Sequence, residues 1–234
     1  MSRLLTAVRC DARLQLRNGF YHAAGFVVLV WGVLLYRARG LDWAPLLPAV
    51  VVGNLVLSTF YFVGGLVLLE KGERTLEALV VSPLRPGEYL GSKVLTLTAL
   101  AVLENLLIVL LLRGSRFALV PFVAGMALAA VLLVLAGFIA VARYDSINEY
   151  ILPSVPYAAV AILPLLPYFG VGAGPWVYAH PVHAALVVIG AAFQPVGGWE
   201  LAYGVVYSAA WAGVLGVAAR RAFRRFVVAD AARR

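Results

Sequence analysis

The chain has 234 residues, of which 63% are hydrophobic and 13% charged, and it carries a formal net charge of +8. A typical soluble domain has roughly 25% charged residues, so this composition excludes a water-soluble globule. The apolar residues form runs long enough to need lipid, without the alternation of barrel strands. We therefore expect an all-α, polytopic membrane protein. The basic residues flank the apolar runs, which argues against a nucleic-acid partner.

The N-terminal segment, residues 1–18, is predicted to form an amphipathic helix over 4–17. Its apolar residues share one arc, and its arginines recur every fourth residue on the next arc: Leu4, Leu5, Val8, Ala12 and Leu16, then Arg9, Arg13 and Arg17. Such a helix lies in the membrane interface. An ordinary basic flank that fixes orientation is an equal alternative.

Residues 19–234 are predicted to form one domain of six transmembrane helices. The expected spans are 19–36, 45–69, 91–112, 117–141, 151–169 and 201–219. With this assignment, fifteen of the nineteen Lys and Arg residues fall on one side of the membrane. The positive-inside rule then predicts that both termini are cytoplasmic.

The fifth span and the residues after it have an unusual composition. Four prolines interrupt the span: Pro153, Pro156, Pro164 and Pro167. Each removes a backbone donor, so a straight, lipid-exposed helix is not expected there. Residues 170–198 contain no Lys, Arg, Asp or Glu and have an apolar middle. We predict a short re-entrant hairpin on the outer side. A seventh span is the alternative, and it would place the Arg-rich C-terminus outside.

A charged segment, residues 70–93, separates the second and third spans. Residues 73–81 are predicted to form a short helix with Leu76, Leu79 and Val80 on one face, and Pro83 ends it. Glu70 and Arg74 have the spacing of a favourable ion pair one helix turn apart. A solvated charged loop is the alternative. A short amphipathic helix between two spans suits the transmission of force from a soluble partner.

This segment resembles the coupling region of ABC-2 type transporter permeases. The residues in register with the family motif are Leu76, Glu77, Leu79, Ser82, Pro83, Glu88, Tyr89, Leu90 and Lys93. The turn at residues 143–149 and the outer hairpin also fit the six-span plan of that family. Within the family, the chain most resembles small bacterial drug-export permeases of the fluoroquinolone-exporter kind.

The resemblance implies a half-transporter in the bacterial inner membrane. A second permease chain, identical or related, would complete the pathway, and separate ABC ATPase subunits would bind ATP and Mg. The resemblance implies that residues 70–90 are the coupling region. The residues in it that would couple the permease to the ATPase are Glu70, Glu73, Arg74, Leu76, Glu77, Leu79, Ser82 and Pro83. Independently of the resemblance, neither Lys71 nor Lys93 belongs to a P-loop motif. We therefore expect no ATPase activity and no cofactor on this chain.

Polar residues inside the predicted spans are candidates for a substrate pathway. Glu104 and Asn105 lie within span three, and an ionisable group at membrane depth is functional by default. Asn54, Ser58 and Tyr61 lie on span two. The alternative for both groups is interhelical hydrogen bonding. A proton-coupled secondary transporter that uses Glu104 is the competing function, although the chain shows neither internal repeats nor several intramembrane charges.

The last span carries a stripe of small residues and a neighbouring stripe of aromatic residues: Gly204, Ser208, Ala212 and Gly216, then Tyr203, Tyr207 and Trp211. The small residues predict close helix packing within one chain, with a dimer contact or a substrate surface as the alternatives. His180 and His183 lack nearby acidic or cysteine partners, so no metal site is expected.

Overall fold

The computed structural model describes residues 3–37, 46–76, 84–172 and 174–228, and all regular secondary structure in them is helical. The helices are α1 (Arg3–Arg17), α2 (Phe20–Arg37), α3 (Leu47–Gly72), α4 (Pro86–Arg113), α5 (Leu119–Val141), α6 (Ile147–Ile162), α7 (Pro181–Gly190) and α8 (Gly198–Ala222). A 3₁₀ segment, Leu163–Phe169, extends α6, a second one, Pro175–Ala179, precedes α7, and a π-helical turn, Phe223–Val228, extends α8. The expected all-α class is confirmed.

Five helical segments of the described residues are long and apolar enough to cross a membrane: Leu47–Gly72, Pro86–Arg113, Leu119–Val141, Ile147–Phe169 and Gly198–Phe226. They correspond to predicted spans two to six. The apolar part of α2 is shorter, Phe20–Leu34, so the crossing of the membrane by span one stays a prediction. The chain is thus a multi-pass membrane protein, as its composition predicts.

Local sequence signals explain where several helices begin. Pro86 occupies the first turn of α4, and the Glu88 carboxylate accepts a 2.8 Å hydrogen bond from the Arg85 backbone N–H. Proline is tolerated in that first turn because its N–H would have no helical partner there. The Ser146 hydroxyl accepts a hydrogen bond from the Glu149 N–H and so caps α6.

The predicted short helix at 73–81 does not begin as expected. Helix α3 continues to Gly72, and Arg74 adopts a left-handed φ of 56°. The prediction of a Glu70–Arg74 ion pair was wrong, because Arg74 leaves the helix and Glu70 instead contacts Lys93. Thr75 and Leu76 are helical again. The rest of the predicted helix, 77–81, lies outside the described residues.

Helix α5 forms the centre of the bundle. Its side chains Phe122, Met126 and Phe138 are fully buried. Gly137 lets α5 approach α3 closely, since a Cβ atom there would lie 2.7 Å from the Phe60 carbonyl oxygen. Phe60 belongs to a π-helical turn, Val56–Tyr61, in the middle of α3. Such turns frequently occur at functional positions.

The bundle has two ends, which we name by α1. The proximal end contains α1, the end of α3, the start of α4 and the turn after α5, whereas the distal end contains the start of α5 and of α8. At the distal end, the Ala118 N–H donates a 2.9 Å hydrogen bond to the Ala192 carbonyl. In the middle of the bundle, the Tyr207 hydroxyl donates a 2.9 Å hydrogen bond to the Ala179 carbonyl.

The segment between α6 and α8 folds back into the bundle. It descends from the distal end to His180 and returns through α7. Glycines allow α7 to pack tightly on both sides: a Cβ atom on Gly125 of α5 would lie 2.6 Å from the Ile189 nitrogen, and one on Gly204 of α8 would lie 2.8 Å from the Ala184 oxygen. Seven of the ten residues of α7 are buried.

Candidate functional site

A buried group of charged and polar side chains joins three helices at the proximal end. The Lys93 ammonium on α4 lies 2.6 Å from the Glu70 carboxylate on α3 and 3.0 Å from the Asp11 carboxylate on α1. The Lys93 side chain is only 1% exposed. We call Asp11, Glu70, Tyr89, Ser92 and Lys93 the Lys93 cluster.

Tyr89 and Ser92 donate hydrogen bonds to the second oxygen of each carboxylate in the Lys93 cluster. The Tyr89 hydroxyl donates to Glu70 Oε2, and the Ser92 hydroxyl donates to Asp11 Oδ2, both at 2.6 Å. The Tyr89 ring also lies 4.4 Å from the Lys93 nitrogen. Buried charges persist only when they are paired and hydrogen-bonded. The cluster therefore fixes α1 against the two membrane helices.

Lys71 makes a second connection at the proximal end. Its ammonium donates to the Ala142 and Tyr144 carbonyls at 2.8 and 2.7 Å and lies 3.2 Å from the Asp145 carboxylate. It therefore joins the end of α3 to the turn between α5 and α6. At the surface, Arg17 and Glu73 form a third contact at 3.2 Å.

The predicted coupling residues divide into three groups. Glu70 belongs to the buried Lys93 cluster, and Leu76 is 5% exposed. Glu73 and Arg74 follow the end of α3, where Glu73 contacts Arg17. The remaining four lie outside the described residues: Glu77, Leu79, Ser82 and Pro83. Contact of this region with an ATPase stays a prediction.

The polar residues predicted for a substrate pathway form a second cluster between α2, α3 and α4. The Asn54 amide donates to Glu104 Oε1 at 2.8 Å and to Asn105 Oδ1 at 3.1 Å. The Asn54 oxygen accepts a 3.3 Å hydrogen bond from the Trp31 indole. The Ser58 hydroxyl donates to the Asn54 carbonyl and lies beside the Glu104 carboxyl group.

These pathway candidates are enclosed within a single chain. Asn54, Ser58, Glu104 and Asn105 are each at most 2% exposed. They connect helices in this conformation and line no open surface. Glu104 Oε2 has no hydrogen-bond partner among the described residues. Tyr61 is separate from the cluster and packs edge-on against Phe60.

Several residues in or next to these two clusters were missed by the sequence reasoning. Asp11 and Ser92 complete the Lys93 cluster, Gln15 donates a 2.7 Å hydrogen bond to Thr96, and Trp31 contacts Asn54. The available signal was Asp11, the one acidic residue on the otherwise basic α1, with Gln15 one turn later. These two residues mark a polar face of α1 that is turned towards α4.

A cavity of about 340 Å³ lies between α5, α6, α7 and α8. Its wall is apolar and aromatic, with Tyr157 from α6, Trp211 from α8 and His180 next to α7. The His180 Nδ1 accepts a 3.2 Å hydrogen bond from the Val182 N–H, so this side chain caps α7. The described residues contain no group of three side chains suited to hold a metal ion.

Only part of the small-residue stripe of α8 packs against other helices of the chain. Gly204 contacts α7 closely, and Ser208 is fully buried. Nothing lies within 4 Å of a Cβ atom placed on Gly216. The predicted packing within one chain is thus confirmed for the distal half of the stripe, while Ala212 and Gly216 in the proximal half are only half-buried.

Comparison with known proteins identifies the family. The model of the fluoroquinolones export permease protein family matches residues 2–231. Two curated relatives, each named a fluoroquinolones export permease protein, come from Mycobacterium tuberculosis strains CDC 1551 / Oshkosh and ATCC 25618 / H37Rv. Each is 37% identical over 233 residues, which cover 97% of this chain and 98% of the relative. The resemblance to drug-export permeases is therefore confirmed, and the chain belongs to the fluoroquinolones export permease protein family.

Proposed function

We propose that this chain is the membrane subunit of an ATP-driven drug exporter of the ABC-2 type, with fluoroquinolones among its substrates. Two permease chains form the pathway, and separate ABC ATPase subunits bind ATP and Mg and supply the energy. The chain crosses the bacterial inner membrane six times, with the proximal end and both termini in the cytoplasm. Residues 170–198 form a re-entrant hairpin on the outer side.

The connections at the proximal end carry this proposal. The end of α3 immediately precedes the segment that resembles an ATPase-coupling helix. Three contacts link this end to its neighbours: Glu70 with Lys93, Lys71 with the turn after α5, and Glu73 with Arg17. A push on the coupling segment would therefore move α1, α4 and the α5–α6 turn together. Rigid packing of this kind transmits displacement to distant helices.

The substrate pathway in this proposal involves the Asn54–Glu104 cluster. Because these side chains are buried within one chain, they become accessible only when α2, α3 and α4 separate during transport. The π-helical turn of α3 begins two residues after Asn54. Such a turn lacks regular helical hydrogen bonding and provides a place where the helix changes shape.

Reconstitution tests the proposal directly. The chain is co-expressed with ABC-type ATPases from the same organism, and the complex is purified into liposomes. We expect ATP-dependent norfloxacin transport and an ATPase rate stimulated by the permease. Glu77→Gln should reduce both to the unstimulated level. Glu200→Gln is the matched control, because this distal glutamate caps α8 through Gly197 and glutamine keeps an oxygen acceptor. Norfloxacin transport by the chain without any ATPase would overturn the proposal.

A proton-coupled secondary transporter is the second candidate, and one observation favours it. Glu104 is a buried ionisable residue at membrane depth, and residues of this kind form the proton relays of transporters. The two functions differ in their energy source. Transport driven by an imposed pH gradient, abolished by a protonophore and independent of ATP, would establish this second function.

A further inference from the structure

We propose that the cavity between α6 and α8 binds a planar aromatic carboxylic acid, with its rings between Tyr157 and Trp211 and its carboxylate on Arg143. This inference rests on the proposed function, because it assigns a site to the exported compound. It concerns residues that are separate from the coupling region and from the Asn54–Glu104 cluster.

The cavity has the size and the lining of a small-molecule site. Its volume, about 340 Å³, falls within the range of roughly 300–1,000 Å³ that ligand pockets occupy. Tyr157 of α6 and Trp211 of α8 both line it, and Phe60 and Leu133 add apolar surface. Residues at the start of α7 also line it: His180, Pro181 and Val182.

Two prolines of α6 lie in the part of the fifth span that borders the cavity. Pro153 and Pro156 lie inside α6, and Pro156 itself lines the cavity. A proline inside a helix removes one hydrogen bond and clashes with the preceding turn. Most of the surface of α6 stays outside the protein interior. A compound dissolved in the membrane can reach the cavity from the side.

Arg143 provides a positive charge beside the cavity. Its guanidinium group donates a hydrogen bond to the Tyr157 hydroxyl. The guanidinium carbon lies 5.1 Å from the centre of the Tyr144 ring and 5.5 Å from that of Tyr157. Among the described residues, no carboxylate forms an ion pair with Arg143. A guanidinium group binds a carboxylate through two parallel hydrogen bonds.

Charge decides which class of ligand fits. None of the residues that line the cavity is acidic, so a cationic compound finds no counter-charge there. His180 uses its Nδ1 atom to accept from the Val182 N–H. Arg143 is thus the polar anchor that remains for an acidic compound. Aromatic rings contributed by two different helices, Tyr157 of α6 and Trp211 of α8, favour flat ring systems, because offset stacking adds to the burial of apolar surface.

A row of aromatic side chains leads from the cavity towards the distal end. On α8, the ring centres of Trp211 and Tyr207 are 6.4 Å apart, those of Tyr207 and Tyr203 are 5.4 Å apart, and those of Tyr203 and Trp199 are 6.5 Å apart. The Tyr203 and Tyr207 hydroxyls donate to carbonyls of the hairpin, which holds the rings in place. An aromatic compound leaving the cavity therefore meets successive rings until the distal surface.

Binding of flumequine, an aromatic carboxylic acid, tests the proposal. The permease with its ATPase is placed in phosphatidylcholine nanodiscs, and flumequine fluorescence is titrated at a mildly alkaline pH that ionises the acid. We expect Arg143→Gln to weaken binding about tenfold or more and Arg143→Lys to restore part of it. Trp211→Ala should also weaken binding. Arg116→Gln is the control, since Arg116 is an exposed arginine near the distal end. Flumequine methyl ester should bind wild type and Arg143→Gln equally weakly.

Three outcomes would overturn the proposal. The first is equal flumequine affinity of wild type and Arg143→Gln, when thermal unfolding measurements show that both proteins are folded. The second is equal affinity of wild type for the acid and its ester. The third is release of bound flumequine by equimolar phosphatidylglycerol, which would make an anionic lipid the occupant of the cavity.

The result also separates this inference from the proposed function. If wild type exports flumequine with ATP and Arg143→Gln exports it equally well, this inference fails and the exporter stands. If wild type shows no ATP-dependent export of any fluoroquinolone, the exporter fails, whereas flumequine binding at Arg143 is still measurable.

Discussion

Lys93 of α4 and Glu70 of α3 form a 2.6 Å ion pair in which neither side chain is more than 6% exposed. The pair also holds α1, because Asp11 approaches the same ammonium group. A buried ion pair contributes little net stability compared with apolar residues of similar volume, but removal of one of its two partners leaves an uncompensated buried charge. The charge balance of the buried Lys93 cluster therefore depends on one lysine.

Replacement of Lys93 by methionine should strongly destabilise the protein. Lys93→Met leaves the Asp11 and Glu70 carboxylates buried and close together without a counter-charge. Removal of one partner of a buried pair costs about 3–5 kcal/mol. We expect a large drop in the unfolding temperature in detergent, measured by tryptophan fluorescence.

A compensated variant separates charge from shape in that experiment. Asp11→Asn and Glu70→Gln, added to Lys93→Met, remove both charges and keep similar volumes. The triple variant should recover most of the lost stability. If it unfolds at the same temperature as Lys93→Met, unpaired charge is not the cause.

Two of the three connections of the α3 end, those of Lys71 and Arg17, should differ in strength. Lys71 is 11% exposed and donates to two backbone carbonyls, whereas Arg17 is 66% exposed at its contact with Glu73. Hydrogen bonds from charged groups contribute about 1.5–3 kcal/mol, and exposed ion pairs typically contribute less than about 1 kcal/mol. Lys71→Met should therefore lower the unfolding temperature clearly more than Arg17→Met, and equal effects would contradict this.

Two glycines of α8 should respond in opposite ways to alanine. Gly204→Ala places a methyl group 2.6 Å from Val188 Cγ2 and 2.8 Å from the Ala184 oxygen, and overpacking costs about 1–3 kcal/mol. Gly216→Ala meets nothing within 4 Å and should stabilise the helix by up to about 1 kcal/mol. Thermal unfolding of both variants measures the difference. A loss of stability in Gly216→Ala would reveal a neighbour outside the chain.

Glu104 should tolerate glutamine better than leucine. Glutamine keeps an oxygen that accepts from the Asn54 amide, whereas leucine removes this partner. Loss of a buried hydrogen-bond partner costs about 1–3 kcal/mol, so Glu104→Leu should unfold at a lower temperature. With ATP as the energy source, Glu104→Gln should retain norfloxacin transport. Loss of transport in a stable Glu104→Gln protein would favour the proton-coupled function.

The membrane helices were predictable because hydrophobic length is a local property of the sequence. Each predicted span overlaps a helix, and the N-terminal helix at 4–17 matches Arg3–Arg17. The proline-rich fifth span is irregular only in its second half, since it stays α-helical through Pro153 and Pro156 and becomes a 3₁₀ segment at Leu163. Most of its surface also lies outside the interior of the chain, against the expectation that it is not exposed. Periodicity suffices for the positions of the helices.

The clusters were less predictable because they join residues far apart in sequence. Lys93 and Asp11 are 82 positions apart, and Asn54 and Glu104 are 50 positions apart. The local rule that paired Glu70 with Arg74 failed because a long-range partner, Lys93, competes for the same carboxylate. Helix packing decides such pairings, and periodicity in one helix carries no information about its neighbours.

The position of α7 between α5 and α8 has a consequence for biosynthesis. The ribosome completes α7 before it completes α8, so one of the two helices that pack against α7 is absent until α8 is made. The hairpin carbonyls at Tyr178 and Ala179 then lack the tyrosine donors that α8 supplies. The last helix to be synthesised thus closes the structure, and a chain that ends before Tyr207 leaves the Ala179 carbonyl without its tyrosine donor.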